Sequence, residues 1–159
     1  MTTRAEKLAS RLEQGANALA EFAEQLTDAQ WRTPLPVDGR PIGVVVHHVA
    51  FMYPIEVDVA RTVASGKPVV GLTYDDAIKN LNAKHAAENA TVSKKDALEL
   101  LRRNSTAAAT AIRAFSDAEL DRAAAVSLNA DAPLTAQFVL EDHAVRHSYH
   151  HLAKIRAAV

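Results

Sequence analysis

The residues in this chain best suited to chemistry are its histidines. His47 and His48 are adjacent, His143, His147, His150 and His151 crowd one later stretch, and His85 stands alone. Both groups fall in segments that read as long helices. On a helix, residues four apart are stacked neighbours, with Cβ atoms about 5–6 Å apart. Two imidazoles at that spacing can reach one metal ion from the same side, and both His143/His147 and His147/His151 satisfy it. All four late histidines share an arc of about 100°. A third ligand has to come from elsewhere. His48 lies on an apolar stripe with Val44, Val45, Met52, Ile55 and Val59 and should point inward, whereas His47 is turned away by about 100°. Three neutral imidazoles leave positions open on zinc, nickel or iron, the pattern of a catalytic site. A structural site would recruit a fourth protein ligand, with His143 or His150 the candidates. Asp142 and Glu141 are candidates to orient ligand histidines through the second ring nitrogen. The competing reading is a solvated histidine face, because Phe138, Val145, Tyr149 and Leu152 lie roughly opposite and would form the core or a dimer seam.

Other chemistries find less support. With no cysteines, the chain has no disulfide, thiolate ligand or cysteine nucleophile, so any metal is held by imidazole or carboxylate. The Glu-x-x-His pairs of di-iron bundles are missing, since Glu141 is two residues from His143. No His-Glu-x-x-His motif or Gly-rich phosphate loop occurs. Ser148 sits beside His147 but has no evident oxyanion hole. Arg146 and Arg156 read as surface residues, and Trp31 and Tyr53 as packing. A net charge of -1 with mixed signs argues against nucleic-acid binding. No uninterrupted apolar run reaches the roughly 18–20 residues that span a bilayer. The start, Met1-Thr2-Thr3-Arg4-Ala5-Glu6, does not read as a signal peptide. The expectation is a cytoplasmic protein with a small-molecule substrate, and neither nucleic acid nor membrane as partner.

The elements that must position these histidines are helices. With 159 residues, 48% of them hydrophobic, the chain suits a single domain, 1–159, with a sizeable core. Thr3-Arg4-Ala5-Glu6 reads as a capping box opening a helix to about Leu26, with Leu8, Leu12, Leu19 and Phe22 on its stripe and Gly15 at the missing position. Thr27-Asp28-Ala29-Gln30 caps a short turn that carries Trp31. A Pro- and Asp-Gly-containing loop, Thr33 to Arg40, leads into a second helix from Pro41 to about Ser65, kinked at Pro54. Thr73 is expected to cap a weak helix from Tyr74 to about Ala87, and Ser93 a long one through Phe115. Ser116-Asp117-Ala118-Glu119 is another capping box. A loop from Ala123 to Pro133 then precedes a last helix from about Leu134 to Arg156. No strand pattern of note is visible, so the expected class is all-α. The two halves repeat the order long helix, capped turn, loop, histidine-bearing helix, which suggests a four-helix bundle with its site where the histidine-bearing helices meet.

Three stretches carry a family resemblance. These are Leu26-Thr27-Asp28-Ala29-Gln30-Trp31, Gly43-Val44-Val45-Val46-His47-His48 and His147-Ser148-Tyr149-His150-His151. In that order, over nearly the whole chain, they resemble the DinB-like superfamily of metal-binding bundles. Leu152 departs from the polar residue common after the last histidine. The resemblance implies a four-helix bundle with crossover connections, often a homodimer. It implies His48, His147 and His151 as ligands with water on the open position, and leaves His143 and His150 as extra or outer-shell groups. The implied cofactor is zinc or nickel, with iron or manganese as alternatives. The implied activity is a thiol-dependent S-transferase for small electrophiles, using mycothiol, bacillithiol or glutathione as cosubstrate. Isomerase and hydrolase rank below it. The alternative class is a non-catalytic metal-binding or stress-response bundle.

Overall fold

A computed structural model describes residues 3–159, so the first two residues of the N-terminal stretch lie outside it. Helix α1 (Arg4–Glu24) starts where the Thr3 hydroxyl accepts a hydrogen bond from the Glu6 amide. Only that half of the expected box forms. The Glu6 carboxylate turns instead to Arg113, 2.8 Å away, because a charge-assisted bond outweighs a neutral cap. The other two boxes close reciprocally, Thr27 with Gln30 at α2 (Asp28–Trp31) and Ser116 with Glu119 at α6 (Asp117–Asp121). The gap in the α1 stripe is filled from outside: a Cβ on Gly15 would lie 2.7 Å from the ring of Tyr149.

Helix α3 (Ile42–Ala64) is the central element. It is long and apolar enough to cross a membrane by composition, but most of that stretch is buried inside the bundle. Gly43 is required where it stands, because a Cβ there would meet the Trp31 indole at 2.3 Å. Pro54 removes the N–H that the Ala50 carbonyl would receive one turn earlier. The helix nevertheless runs on, and the Asn104 amide donates to that carbonyl at 2.8 Å from a neighbouring helix. That neighbour is α5 (Lys94–Arg113), capped by Ser93.

Between them lies α4 (Lys79–Glu88), preceded by a π-helical turn, Tyr74–Ile78. Thr73 makes no side-chain cap here. Its carbonyl accepts from the Ile78 amide at 2.9 Å, the wider closure of a π turn. Only His85 of α4 is buried.

The expected loop from Ala123 to Pro133 is instead a hairpin, with β1 (Ala123–Val126) antiparallel to β2 (Ala132–Thr135). Its turn holds Ala130 and Asp131 at positive φ. Three alanines carry no alternation that could announce a strand. The pairing is reinforced from outside, since the Val69 amide donates to Ala125 and the Ser127 amide to Val69. Thr135 then caps α7 (Ala136–Val139), which continues through a π-helical turn (Leu140–Val145) into α8 (Arg146–Arg156).

Around the bundle, α5 packs along both α1 and α3, and the last helix closes the ring against α1 and α3. Helices α1 and α3, consecutive long helices, therefore face each other diagonally, which is the expected four-helix bundle with crossover connections. The last helix is buried on two sides. Val145 and Leu152 pack into the core, while Ser148 and His151 are buried as well. Of the four late histidines, His151 is buried, His143 and His147 are half-buried and His150 is exposed. Phe138 and Tyr149 remain partly exposed.

Asn104 is expected to matter for stability out of proportion to its partly buried position. Asn104→Ala strands a buried carbonyl and should cost about 1–3 kcal/mol. Urea denaturation checks it, and an unchanged midpoint would show that the Ala50 carbonyl has another partner.

Candidate metal centre

His48 comes from α3, His147 and His151 from successive turns of α8. His48 and His151 are buried, and each of the three offers a ring nitrogen within 4.8 Å of the others'. Nε2 of His147 and Nε2 of His48 are 3.2 Å apart. The rings of His48 stand edge-on to those of His147 and His151, with centroids 5.0 and 5.4 Å away. Among the described residues no fourth histidine or carboxylate joins this group.

Electrostatics keep the buried rings neutral. Burial pushes the His48 imidazole far below its ordinary range, and the proximity of His147, Arg40 and His151 adds to it. Burial lowers His151 in the same way, reinforced by His147 and His150. Neutral imidazole is the form that binds metal.

Glu56 is the site residue that sequence reasoning missed. It is buried on α3, and its Oε1 lies 2.6 Å from Nδ1 of His147. A carboxylate behind a histidine fixes the ring and strengthens it as a ligand. The available signal was an acid in the inner half of an apolar helix, two turns beyond His48. Asp142 and Glu141, the expected orienters, do other things. Glu141 pairs with Arg11 at 2.7 Å on the surface. Asp142 lines the neighbouring cavity, 3.3 Å from Arg146 Nε.

His143 and His150 also line that cavity without entering the three-histidine group. His143 is displaced by the π turn that contains it. Such a turn holds one more residue than an α turn, so positions before Val145 lose the four-residue stacking on His147. His47 points away from the group, as expected, and its Nδ1 lies 2.8 Å from Nε2 of His85. His85 also packs edge-on against the His48 ring, 5.6 Å between centroids. Burial pushes His85 down to about 4. Ser148 is fully buried and hydrogen-bonded to the Tyr53 hydroxyl, which ties α8 to α3. Arg156 stacks on Phe22, away from the site.

The three histidines open onto a cavity of about 270 Å³. Its apolar wall includes Met52, Ile55, Val59, Leu72, Ile78 and Leu128, and its polar groups include Arg40, Asn82 and Arg146. The donor set fits a divalent metal on two observations. Two nitrogens on one tetrahedral zinc, each bonded at about 2.0–2.1 Å, lie roughly 3.3 Å apart, and His48 and His147 already sit at 3.2 Å. One hydrogen bond between that pair leaves the nitrogen of His151 unserved, whereas one cation satisfies all three.

Two measurements follow. Glu56→Gln should weaken zinc binding by about 10- to 100-fold in a competition titration, while circular dichroism stays native. For pH, the unfolded histidines titrate near 6.5 and the folded ones lower, so the unfolded chain takes up protons first as pH falls. Metal-free protein should therefore lose stability below about 6.5, on the order of 2 kcal/mol for each of His48 and His151 between pH 7 and 5. A urea midpoint that stays level across that window would contradict the buried, neutral state.

The family model of the DinB superfamily matches residues 11–155. Among solved structures, YfiT from Bacillus subtilis, described as a probable metal-dependent hydrolase with an unusual four-helix bundle topology, superposes with a TM-score of 0.75. It is 22% identical, with 99% of this chain and 88% of that one covered. A mycothiol-dependent maleylpyruvate isomerase superposes with a TM-score of 0.70 at 13% identity, covering 96% of this chain and 61% of that one. No curated protein matches by sequence. With its sequence matched over nearly its full length, the chain belongs to the DinB superfamily.

Proposed function

We propose that this protein is a divalent-metal-dependent enzyme acting on a small molecule, and that its reaction is thiol-dependent transfer to a small electrophile. The observation that carries the reading is the incomplete ligand set: three histidines share one edge of a cavity, and no fourth protein ligand closes it among the described residues. When bound, a divalent ion at such a site lowers the pKa of a thiol or a water and polarises a substrate oxygen. The chain's own residues supply the rest. His48, His147 and His151 are the holders, zinc or nickel being the metals that suit imidazole. Glu56 Oε1 lies against Nδ1 of His147 and would orient its ring, and its Oε2 is buried and unpaired. The apolar wall excludes water and receives the substrate's apolar body.

Two considerations favour an external thiol. The chain has no cysteine of its own, and one of its structural likenesses is mycothiol-dependent. Hydrolysis is the second reading, favoured by the description of YfiT and by the free Glu56 oxygen beside the cavity.

The test is metal content followed by turnover. Purified protein incubated with zinc or nickel should hold about one ion per chain, and His48→Ala, His147→Ala and His151→Ala should each lose it. Metal-loaded protein should then consume a small electrophile only when mycothiol, bacillithiol or glutathione is present. Metal-dependent ester cleavage without thiol would replace transfer by hydrolysis. Bound metal with neither activity would indicate a non-catalytic bundle, and protein that takes up no metal would overturn the reading.

A further inference from the structure

Arg40 is half-buried in the wall of the histidine cavity with part of its guanidinium unused. It sits in the tight loop before α3, where the Leu35 amide donates to the Arg40 carbonyl at 2.9 Å and the Ile42 amide to Thr33 at 3.0 Å. Gly39 takes the left-handed conformation that this turn needs, at φ 74°. The side chain is only 16% exposed. Asp38 holds one edge of it, with Nε and Nη2 at 3.1 and 2.8 Å from Oδ2. Nη1 is buried, has no partner, and belongs to a residue lining the same cavity as His48 and His151. A buried N–H on a cation is costly to leave unmade. Arg40 is a lining residue of the cavity, so a small turn of its guanidinium would bring the enclosed Nη1 to a group bound there.

We propose that Arg40 is the residue that fixes the charged end of the substrate, and that this end is a carboxylate. The proposal rests on the cavity being the substrate site of the enzyme described above. The chemistry selects a singly charged oxyanion. One guanidinium nitrogen is free, Asp38 already offsets part of the charge, and no lysine lines the cavity. A phosphate would call for several donors. The other cavity arginine, Arg146, is more than half exposed and held by Asp142, through its carboxylate and its backbone carbonyl. The rest of the lining pairs an apolar side, with Met52, Ile55, Val59, Leu72, Ile78 and Leu128, with polar groups that include Glu56, Asn82 and Asp142. Together these features describe a small acid with an aliphatic or aromatic body, its carboxylate on Arg40 and its reactive atom toward the three histidines.

Binding without turnover tests this. Hexanoate, its neutral amide hexanamide, and inorganic phosphate are titrated calorimetrically into wild-type protein, Arg40→Gln and Asp38→Asn, each with and without zinc. Hexanoate should bind the wild type, lose tenfold or more in affinity in Arg40→Gln, and gain in Asp38→Asn, where the guanidinium is freed from its internal partner. Hexanamide should not distinguish the three proteins. If Arg40→Gln does not fold, the gain in Asp38→Asn decides alone. No detectable hexanoate binding to the wild type, equal hexanoate affinity in all folded variants, or tighter Arg40-dependent binding of phosphate than of hexanoate would each overturn the proposal. An Arg40-dependent preference for hexanoate in a protein with no turnover would uphold it while the enzymatic reading falls.

Discussion

Packing several imidazoles into one apolar bundle is a physical burden, and much of the structure is organised around it. Each ring carries two polar nitrogens, and an unpaired buried one costs about 1–3 kcal/mol. Nδ1 of both His48 and His151 is buried without a partner, in a fold whose net stability is of the order of 5–15 kcal/mol. The site therefore has to be carried by the rigidity of its surroundings. On the α3 side this comes from packing, since Val45, Val46, Val49 and Ala50 around His48 are fully buried. On the α8 side it comes from the Tyr53–Ser148 hydrogen bond and the 2.6 Å approach of the Glu56 carboxylate to Nδ1 of His147. Even the Pro54 break is repaired from α5, so that α3 holds His48 and Glu56 on one continuous helix. A cation held by the facing ring nitrogens would bind the folded state alone and couple metal content to stability, offsetting the cost of the unpaired His48 Nδ1 without removing it.

The choice among the late histidines turns on helix geometry. Four-residue spacing nominates His143/His147 and His147/His151 equally. The π turn at Leu140–Val145 breaks the equality, because it changes the phase of the helix just before His147. His147 and His151 then stack as ordinary α-helical neighbours, while His143 is carried along the cavity wall toward Asp142, 3.9 Å away. The insertion of one residue's worth of helix thus separates a compact group of three from a looser ring of titratable side chains.

How much of this was legible in the sequence follows from how local each signal is. Capping boxes and apolar stripes are written within a few residues, and they located all four long helices. The same stripe separated His48 from His47. The repeat of long helix, capped turn, loop and histidine helix also holds, down to the loops. Thr33 to Arg40 closes with a strand-like bridge between Pro34 and Pro41, the small counterpart of the β1–β2 hairpin. What escaped were features set by distant partners. Ala123–Val126 is a strand because Val69 and β2 meet it, and its own residues carry no such preference. Glu56 acquires its role from His147, 91 positions later in the chain by number. Glu6 would have completed a cap had Arg113 not been brought beside it. Arg40 lay in a loop read only for its turn residues.

The charges around the cavity explain why an all-imidazole ligand set and an arginine belong together. The charged side chains of the cavity and its edge come in short contacts: Glu56 with His147, Asp142 with Arg146, Asp38 with Arg40. No carboxylate stands among the three gathered ligands. A dication entering there would keep most of its charge, since neutral imidazole donates electrons without cancelling it. A low-dielectric pocket tolerates such an excess poorly, because unlike bulk water it cannot screen the field. The carboxylate proposed for Arg40 would restore the balance. An aliphatic wall cannot hold that anion, and the exposed Arg146 holds it only at the rim. Arg40, set in its loop with one edge held by Asp38, is the cavity cation to which the proposal assigns that charge.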